Sequence, residues 1–355
     1  MISLRNLIKK NNARKLLPKP EILHRAFSTA SAPNVPPPQD TKQSGNLALG
    51  LAQEINVPIS HVRVQLATEQ SIFRRISATP VTASLGAEIS GVDLSTHLSE
   101  DVVEEIWNAF LLFGVIFFRG QKLSPGEQVA LAKRFGELDR HPIVKGLEDH
   151  PDVLEIVREA GAPTNFGEDW HSDNSYMAEP SLGSILHAVE VPPVGNDTMF
   201  SCAYGAYDGL SPKLRSFLDG LKAIHTAGVA FNPSTVAGGS FDNPESAMKY
   251  QKSQDLFSTN LHPVVRTHPE TGRKCIFVNS MFTTEIEGLS KAESKQILDL
   301  LFAQFGQPHI SCRFRWQAGD VAMWDNRCLQ HVAIGDNSSH KRIMRRVTLK
   351  GDAPV

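Results

Sequence analysis

The chain has 355 residues, of which 41% are hydrophobic and 21% are charged, and its formal net charge is −2. This balance is typical of a globular protein and excludes collagen-like, coiled-coil and wholly disordered chains. The near-neutral charge gives no general attraction to nucleic acid. No apolar run reaches the roughly 18 residues that span a bilayer, so we expect neither nucleic acid nor a membrane as a partner.

Basic residues are concentrated at the start of the chain. Residues 1–27 contain seven of the 36 Lys and Arg residues but only one of the 38 Asp and Glu residues. Leu and Ile are interleaved with these cations, a pattern typical of a mitochondrial transit peptide. We therefore expect residues 1–32 to direct the protein to mitochondria; a basic tail on a cytoplasmic protein is the alternative. Residues 33–75 begin with a Pro-rich stretch, and this composition predicts that they form a linker and lead-in segment.

From residue 76 onward, helix start signals alternate with short β-rich runs. A Ser-x-x-Glu capping box at Ser124 and Glu127 predicts one helix. Further helices are predicted over 102–112, 213–221 and 290–305. Strands are predicted at 80–84, 114–118, 153–157, 183–191, 274–279, 312–316, 320–324 and 344–349. Many short strands with flanking helices predict a mainly β domain, a double-sheet jelly roll, over residues 76–355.

Several familiar chemical motifs are absent from the sequence. It contains no GxSxG, GxxxxGK[ST], HExxH or protein-kinase motif, and no strand-GxGxxG-helix unit. The four cysteines are widely spaced, which disfavours a structural zinc site and indicates buried thiols in a reducing compartment. They are Cys202, Cys275, Cys312 and Cys328.

Histidine near carboxylate is the chemistry that remains. His-x-Asp/Glu triplets begin at His150, His171 and His268, where chance predicts about one. The first and third contain Pro and lie in turn contexts, so we expect loop residues there. In an extended segment, His171 and Asp173 point to the same face. A distant histidine such as His331, which follows a predicted strand, would complete the two-His, one-carboxylate site of non-haem iron(II) oxygenases.

Two arginines follow on the last predicted strand. Arg342 and Arg346 share one face of that strand. Two guanidiniums near a cation repel unless anions lie between them, and arginine binds carboxylates and sulfonates with two hydrogen bonds. The alternative is that Arg346 pairs with a protein carboxylate such as Asp173 or Glu168.

Four motifs occur in order along the chain: Trp170-His171-Ser172-Asp173, residues 192–198 (PPVGNDT), Trp324-Asp325-Asn326-Arg327 with Gln330-His331, and residues 342–346 (RIMRR). Together they resemble the taurine dioxygenase family, whose members are iron(II)- and 2-oxoglutarate-dependent oxygenases that include taurine and 2,4-dichlorophenoxyacetate dioxygenases. The resemblance runs from about residue 77 to residue 352 and does not cover the lead-in segment.

The resemblance implies an enzyme on a cupin-like double-stranded β-helix, with Fe(II) as cofactor and 2-oxoglutarate and O₂ as cosubstrates. It implies His171, Asp173 and His331 as iron ligands, and Thr198 and Arg342 as residues that bind 2-oxoglutarate. The implied pocket for a small anionic substrate comprises His141, Asn174, Tyr176, Phe231, Phe282 and Arg346. We also expect a homo-oligomer.

Three positions depart from the pattern of taurine enzymes. Gly167 replaces an Asn, Ala230 replaces a small polar residue, and Asn174 replaces an apolar residue. The polar surroundings of a taurine amine are therefore partly missing. The expected substrate is a small sulfonate, sulfate ester or carboxylate, and alkyl sulfonates or aryl and alkyl carboxylates are expected to compete well with taurine.

Two alternatives remain open. The first is a trimethyllysine or butyrobetaine hydroxylase. Those hydroxylases have a cysteine-rich N-terminal module, whereas the first cysteine of this chain is Cys202. Their substrates are cationic, and a cation is bound better by an aromatic cage than by an arginine. The second is a non-catalytic, cupin-like protein that binds an acid without turnover. Within the superfamily, the carboxylate of Asp173 indicates hydroxylation, because halogenating relatives need a small residue there.

Overall fold

The computed structural model describes residues 73–162, 167–228, 230, 231, 253, 255 and 258–355. The expected transit peptide (1–32) and most of the linker and lead-in segment lie outside the described residues.

Sixteen strands and five α-helices are present in the described part of the chain. The strands are β1 Ser77–Pro80, β2 Ala87–Ser90, β3 Val115–Phe118, β4 Leu138–Asp139, β5 Leu154–Arg158, β6 Gly183–Glu190, β7 Thr198–Cys202, β8 Lys222–Thr226, β9 Thr259–Pro263, β10 Val265–Thr267, β11 Lys274–Ile276, β12 Thr283–Ile286, β13 Ser311–Phe314, β14 Val321–Asp325, β15 Leu329–Ala333 and β16 Arg342–Leu349. The helices are α1 Glu100–Phe113, α2 Pro125–Lys133, α3 Ala203–Asp208, α4 Pro212–Leu218 and α5 Lys291–Phe305.

Two of the sheets enclose the main core. The larger has the order β1-β2-β3-β14-β6-β16-β4, with β5 also paired to β16, and the smaller has the order β13-β7-β15. Between them, the rings of Phe117 and Phe314 stack with centroids 3.9 Å apart, and Phe200 lies 5.7 Å from Trp324. This arrangement is the jelly roll, or double-stranded β-helix, that the sequence predicts.

Strand β3 shows how one sheet serves two cores. Val115 and Phe117 belong to the core between the sheets, whereas Ile116 and Phe118 pack with helix α1 on the opposite face. This alternation follows from the two-residue period of a β-strand. Because helices cover the outer face of this sheet, both faces of β3 are buried. This burial explains why β3 is a continuous run of apolar residues.

Local signals start and stop the helices. Ser124 and Glu127 form the predicted capping box of α2, and Ser290 and Glu293 form another at the start of α5. Helix α1 ends at Phe113, and the next residue, Gly114, is its C-cap. The φ of Gly114 is 75°, a conformation that glycine adopts without steric cost.

One predicted strand is wrong. Residues 80–84 do not form a strand, because β1 ends at Pro80 and a turn follows. Val81 N–H donates to the carbonyl of Gly86, and the Thr82 hydroxyl donates to the carbonyl of Leu85, so the polar groups are satisfied within the turn. Six of the other seven predicted strands are confirmed with shifts of one or two residues at their ends, and the strand predicted at 274–279 is shorter, covering only Lys274–Ile276. Strand β15, which carries His331, was not predicted.

All four cysteines are free and buried, as their spacing predicted. None of the helices in the described ranges is long and apolar enough to cross a membrane.

Candidate active site

Two distant parts of the chain meet at His171 and His331. These residues form an isolated antiparallel bridge, in which each backbone N–H donates to the carbonyl of the other at 3.1 and 2.9 Å. Their ring centroids lie 4.1 Å apart. The segment around His171 is thus held against strand β15, and the two imidazoles lie side by side.

The Asp173 carboxylate completes a buried group of three. Its Oδ1 atom lies 3.8 Å from Nε2 of His171 and 4.0 Å from Nε2 of His331. Two donor atoms that each lie about 2.1 Å from one metal ion are at most about 4.2 Å apart. The two distances from Asp173 Oδ1 meet that limit, and all three ligand atoms lie within 4.8 Å of one another. Two imidazole nitrogens with one carboxylate oxygen suit iron(II).

A hydrogen bond fixes the orientation of His171. Its Nδ1 donates to the carbonyl of Asp169 at 2.7 Å, so the lone pair is on Nε2, the atom that faces Asp173. A Cβ atom at Gly167 would lie only 3.0 Å from Cε1 of this ring, and the φ of Gly167 is 82°. Glycine at this position therefore leaves the space that the imidazole occupies.

The second oxygen of Asp173 is held by neighbouring side chains. Ser184 Oγ donates to Oδ2 at 2.7 Å, and Asn326 Nδ2 donates to the same atom at 3.4 Å. Burial would raise the pKa of Asp173, but the Arg346 guanidinium and the two histidines lower it well below its usual value. The carboxylate is therefore ionised, with Oδ1 facing the histidines.

Arg346 contacts the same carboxylate oxygen. Its Nη1 donates to Asp173 Oδ1 at 2.7 Å. Alternate residues of β16 (Arg342, Met344 and Arg346) are buried, as the strand period predicted. Of the two partners considered for Arg346, a ligand or a protein carboxylate, the structure shows the carboxylate of Asp173.

Arg342 and Thr198 present donors for an anion. Nε of Arg342 is buried and has no hydrogen-bond partner within the described ranges. Burial together with nearby Arg158 lowers the pKa of Arg342 to about 10. Trp316 Nε1 donates to Thr198 Oγ1 at 2.9 Å, so the hydroxyl proton of Thr198 is directed to another acceptor. An oriented hydroxyl and a buried guanidinium that has no counter-ion in the described part of the chain suit a carboxylate ligand.

Aromatic side chains border the histidine group. Tyr176, Phe231 and Phe282 form one buried cluster with Ile143 and Ala227. The centroid of Phe282 lies 5.1 Å from that of Tyr176 and 6.4 Å from that of His171. The three predicted aromatic residues are therefore brought together, and Phe282 places the cluster next to His171.

The two polar residues predicted for the pocket have different contacts. Nδ1 of His141 accepts from the backbone N–H groups of Ile143 and Val144, so Nε2 carries the proton. Burial, with Arg346 as a second cause, lowers the pKa of His141 to about 3, which keeps the ring neutral. The amide of Asn174 instead accepts from the hydroxyl of Tyr176 at 3.3 Å, and thus holds that wall residue in place.

The other two His-x-Asp/Glu triplets lie apart from this group. His150 lies in a loop, and its neighbour Asp152 pairs with the exposed Arg140 at 2.6 Å. His268 lies at the turn between β10 and β11, as predicted, but it is buried and its Nε2 is 3.0 Å from Asp325 Oδ2. The turn position followed from Pro269, whereas the burial in a charged network was not predicted.

Comparison with known proteins gives the family. Residues 77–348 match the family described as "Taurine catabolism dioxygenase TauD, TfdA family". This chain belongs to that family. It is therefore an iron(II)- and 2-oxoglutarate-dependent dioxygenase that uses O₂, and the alternative of a non-catalytic acid-binding protein is set aside.

The similar proteins include two curated enzymes and a solved structure. The chain is 34% identical over 294 residues to an alkylsulfatase of Acinetobacter baylyi, covering 81% of this chain and 88% of that one. It is 35% identical over 281 residues to an alpha-ketoglutarate-dependent sulfate ester dioxygenase of Pseudomonas putida, covering 78% and 90%. The crystal structure of a putative alpha-ketoglutarate-dependent taurine dioxygenase from Burkholderia xenovorans is 38% identical, with a TM-score of 0.67, and covers 79% and 91%.

Four residues that contribute to the dioxygenase site were not assigned a role from the sequence. Asn326 and Ser184 hold Asp173, Trp316 orients Thr198, and Arg158 lies beside Arg342. Asn326 lies within the motif Trp324-Asp325-Asn326-Arg327, and that motif is the sequence signal that points to it. The other three are ordinary strand or loop residues, and only the pairing of strands shows what they contact.

Proposed function

We propose that His171, Asp173 and His331 are the ligands of iron(II) in this dioxygenase. The observation that carries this assignment is that Asp173 Oδ1 lies within 4.0 Å of both Nε2 atoms while His171 is held in the tautomer that presents a lone pair there. When bound, iron and its cosubstrates supply oxidative hydroxylation: one atom of O₂ enters succinate, the other enters a substrate C–H bond, and 2-oxoglutarate loses CO₂.

Arg342 and Thr198 bind 2-oxoglutarate. The planar guanidinium of Arg342 accommodates the distal carboxylate with two parallel hydrogen bonds. The Thr198 hydroxyl, which accepts from Trp316, adds a third donor. Because both groups are buried, their hydrogen bonds are formed away from competing water.

Arg346 and His141 bind the anionic group of the prime substrate. A carboxylate oxygen that coordinates a cation carries less negative charge, so Arg346 requires a second anion when Asp173 acts as a ligand. His141 is neutral and carries its proton on Nε2, which makes it a hydrogen-bond donor. Tyr176, Phe231 and Phe282 enclose the apolar part of the substrate and exclude water from the reacting C–H bond.

The substrate is an alkyl sulfate ester or an alkyl sulfonate. The names of two relatives that are 34% and 35% identical support sulfate esters. The absence of side-chain polar groups at Gly167 and Ala230 supports an apolar chain over a taurine amine. Hydroxylation of the carbon that bears the ester oxygen yields a hemiacetal sulfate, which breaks its C–O bond to sulfate and releases an aldehyde and hydrogen sulfate.

A matched set of substrates tests this assignment. Purified protein is supplied with Fe(II), 2-oxoglutarate and O₂, and succinate release is measured with hexyl sulfate, hexanesulfonate, hexanoate, taurine, hexyltrimethylammonium and trimethyllysine. We expect hexyl sulfate or hexanesulfonate to give the highest kcat/KM, with equimolar sulfate or sulfite released. A cationic compound as the best substrate would instead support the trimethyllysine hydroxylase alternative and contradict the proposed site.

We also propose that residues 1–32 are a mitochondrial transit peptide, supported by the excess of seven cations over one acid in residues 1–27. N-terminal sequencing of the native protein from a mitochondrial fraction is expected to begin near Ser28. A start at Met1 or Ile2 in the cytosolic fraction would contradict this proposal. The dioxygenase is further proposed to be a homo-oligomer, which light scattering of the purified protein tests.

A further inference from the structure

Arg342 is a buried cation with no protein counter-ion among the described residues. Across the residues that the structure describes, its Nε has no hydrogen-bond partner and no acidic residue stabilises its charge, whereas nearby Arg158 lowers its pKa. A guanidinium buried in this way is costly unless a ligand compensates it. The carboxylate of 2-oxoglutarate fulfils that requirement in the proposed function.

Arg158 lies directly opposite Arg342 in the sheet. Strands β5 and β16 are antiparallel, with Arg158 paired to Arg342 and Leu154 paired to Arg346. Side chains at paired positions lie on the same face with Cβ atoms about 4.5–5.5 Å apart. Arg158 is only 4% exposed, so both guanidiniums are buried on the inner face. Like charges at paired positions destabilise a sheet.

The head of Arg158 is anchored on the side where Thr198 lies. Nη1 donates to Asn196 Oδ1 at 3.2 Å, and Nη2 donates to the carbonyl of Asn337. Asn196 precedes Thr198 by two residues and has the positive φ of 56°. Arg158 therefore connects the end of β16 that carries Arg342 with the start of β7 that carries Thr198.

Burial and two carboxylates act on Arg158 in opposite directions. Burial lowers the pKa of Arg158, and Glu168 and Asp336 act in the opposite direction without reversing the shift. Arg158 and Arg342 are thus adjacent buried guanidiniums that repel each other, and a carboxylate bound between them would reduce the repulsion.

We propose that Arg158 is a second arginine that binds the distal carboxylate of 2-oxoglutarate, together with Arg342 and Thr198. The inference rests on the proposed function of Arg342. It makes the enzyme selective for a 2-oxo acid with a second carboxylate, because a ligand without that group leaves Arg342 beside a second guanidinium and adds no negative charge between them.

A pair of ligands distinguishes this role from a purely structural one. 2-Oxopentanoate has the same chain length and 2-oxo acid group as 2-oxoglutarate but no distal carboxylate. Dissociation constants of both compounds are measured by calorimetry on the Mn(II)-loaded protein, for the wild type, Arg158→Gln, Arg158→Lys and Arg345→Gln. Arg345 is the matched control, because it lies on the same strand pair but pairs with Glu155 on the other face.

We expect Arg158→Gln to weaken 2-oxoglutarate binding at least tenfold and to change 2-oxopentanoate binding less than twofold, with Arg158→Lys intermediate and Arg345→Gln unchanged. Unaltered binding of 2-oxoglutarate, or equal weakening of both compounds, would overturn the proposal. If Arg158→Gln does not fold, as judged by circular dichroism, the same two criteria apply to Arg158→Lys. The role of Arg342 in binding 2-oxoglutarate is tested separately with Arg342→Gln. If Arg342 does not bind the distal carboxylate, this variant will keep the preference for 2-oxoglutarate over 2-oxopentanoate.

Discussion

The molecule contains two buried groups of similar composition whose chemistry differs. One consists of His171, Asp173 and His331, and the other of His268, Asp325 and Cys328. In the second group both oxygens of Asp325 are engaged by Arg327, whose Nε and Nη2 donate at 2.8 and 2.7 Å. Residue types and proximity are therefore not sufficient to define a metal site.

The tautomers of the two leading histidines explain the difference. Nδ1 of His268 accepts from the backbone N–H groups of Glu270 and Thr271, so its Nε2 carries the proton and donates to Asp325. Nδ1 of His171 donates to a carbonyl, so its Nε2 has a lone pair. A metal ion binds to that lone pair, and of these two histidines only His171 provides it on Nε2.

The group around Asp325 has a structural relation to the other one. Asn326 lies between Asp325 and Arg327 in the chain, and it accepts from Asp173 N–H and from Trp324 Nε1. Arg327 is further fixed by Glu270, which also accepts from Trp107. These contacts make the turn after β14 rigid and keep Asn326 in place. The group of His268, Asp325 and Cys328 therefore supports the group of His171, Asp173 and His331.

Removal of a ligand is the strongest way to test the comparison. Replacing Asp173 with Ala should abolish stoichiometric Mn(II) binding and turnover, because two histidines alone do not hold the ion. His268→Gln is the matched control: its amide can still donate to Asp325, and metal binding should stay at one ion per chain, as measured by calorimetry. Loss of metal in His268→Gln with retention in Asp173→Ala would reverse the assignment of the two groups.

The next effect concerns the arginine that shares Asp173. Arg346→Ala should lower kcat/KM for anionic substrates at least about a hundredfold, a loss of roughly 2.7 kcal/mol, because it removes the positive charge at the substrate position. Binding of 2-oxoglutarate should be nearly unchanged. Arg345→Gln, on the opposite face, should retain the wild-type rate. Equal rates of succinate release in both variants would contradict the substrate role of Arg346.

A smaller effect is expected at the cosubstrate position. Arg342→Lys keeps the charge but loses the planar pair of donors, so the KM for 2-oxoglutarate should rise about tenfold, equivalent to about 1.4 kcal/mol. The KM for the prime substrate should be unaffected in steady-state kinetics. The opposite pattern would exchange the roles of Arg342 and Arg346.

The smallest effect is a pH dependence of the free energy of unfolding that arises from His268. Burial, followed by the charge of Arg327, lowers the pKa of His268 below its usual value of 6.5. The unfolded chain therefore takes up a proton first as the pH falls through 6.5, and the free energy of unfolding decreases. His268 should contribute up to about 1 kcal/mol of this decrease between pH 6.5 and 5.5. Urea unfolding of His268→Gln should lack that contribution; an identical pH slope in both proteins would contradict it.

The sequence predicts much of this arrangement because short-range rules govern it. The capping box at Ser124 and the alternation along β16 depend on neighbouring residues alone, and both predictions are confirmed. The strand predicted at 80–84 fails because the hydroxyl of Thr82 closes a turn within an apolar run.

Long-range contacts could not be predicted in the same way. The bridge between His171 and His331 joins residues that are far apart in the chain, and the pairing of Arg158 with Arg342 depends on the register of β5 and β16. The tautomer of His268 is likewise fixed by the backbone of the following turn. Motif resemblance indicated His171, Asp173 and His331 together, but not the side chains that orient them.

Anomalous diffraction from crystals grown anaerobically with Mn(II) and 2-oxoglutarate tests the central assignment most directly. We predict one peak per chain, located between Nε2 of His171, Nε2 of His331 and Oδ1 of Asp173, with the cosubstrate carboxylate at Arg342. A peak between His268, Asp325 and Cys328, or a metal bound without any contact to Asp173, would contradict the account.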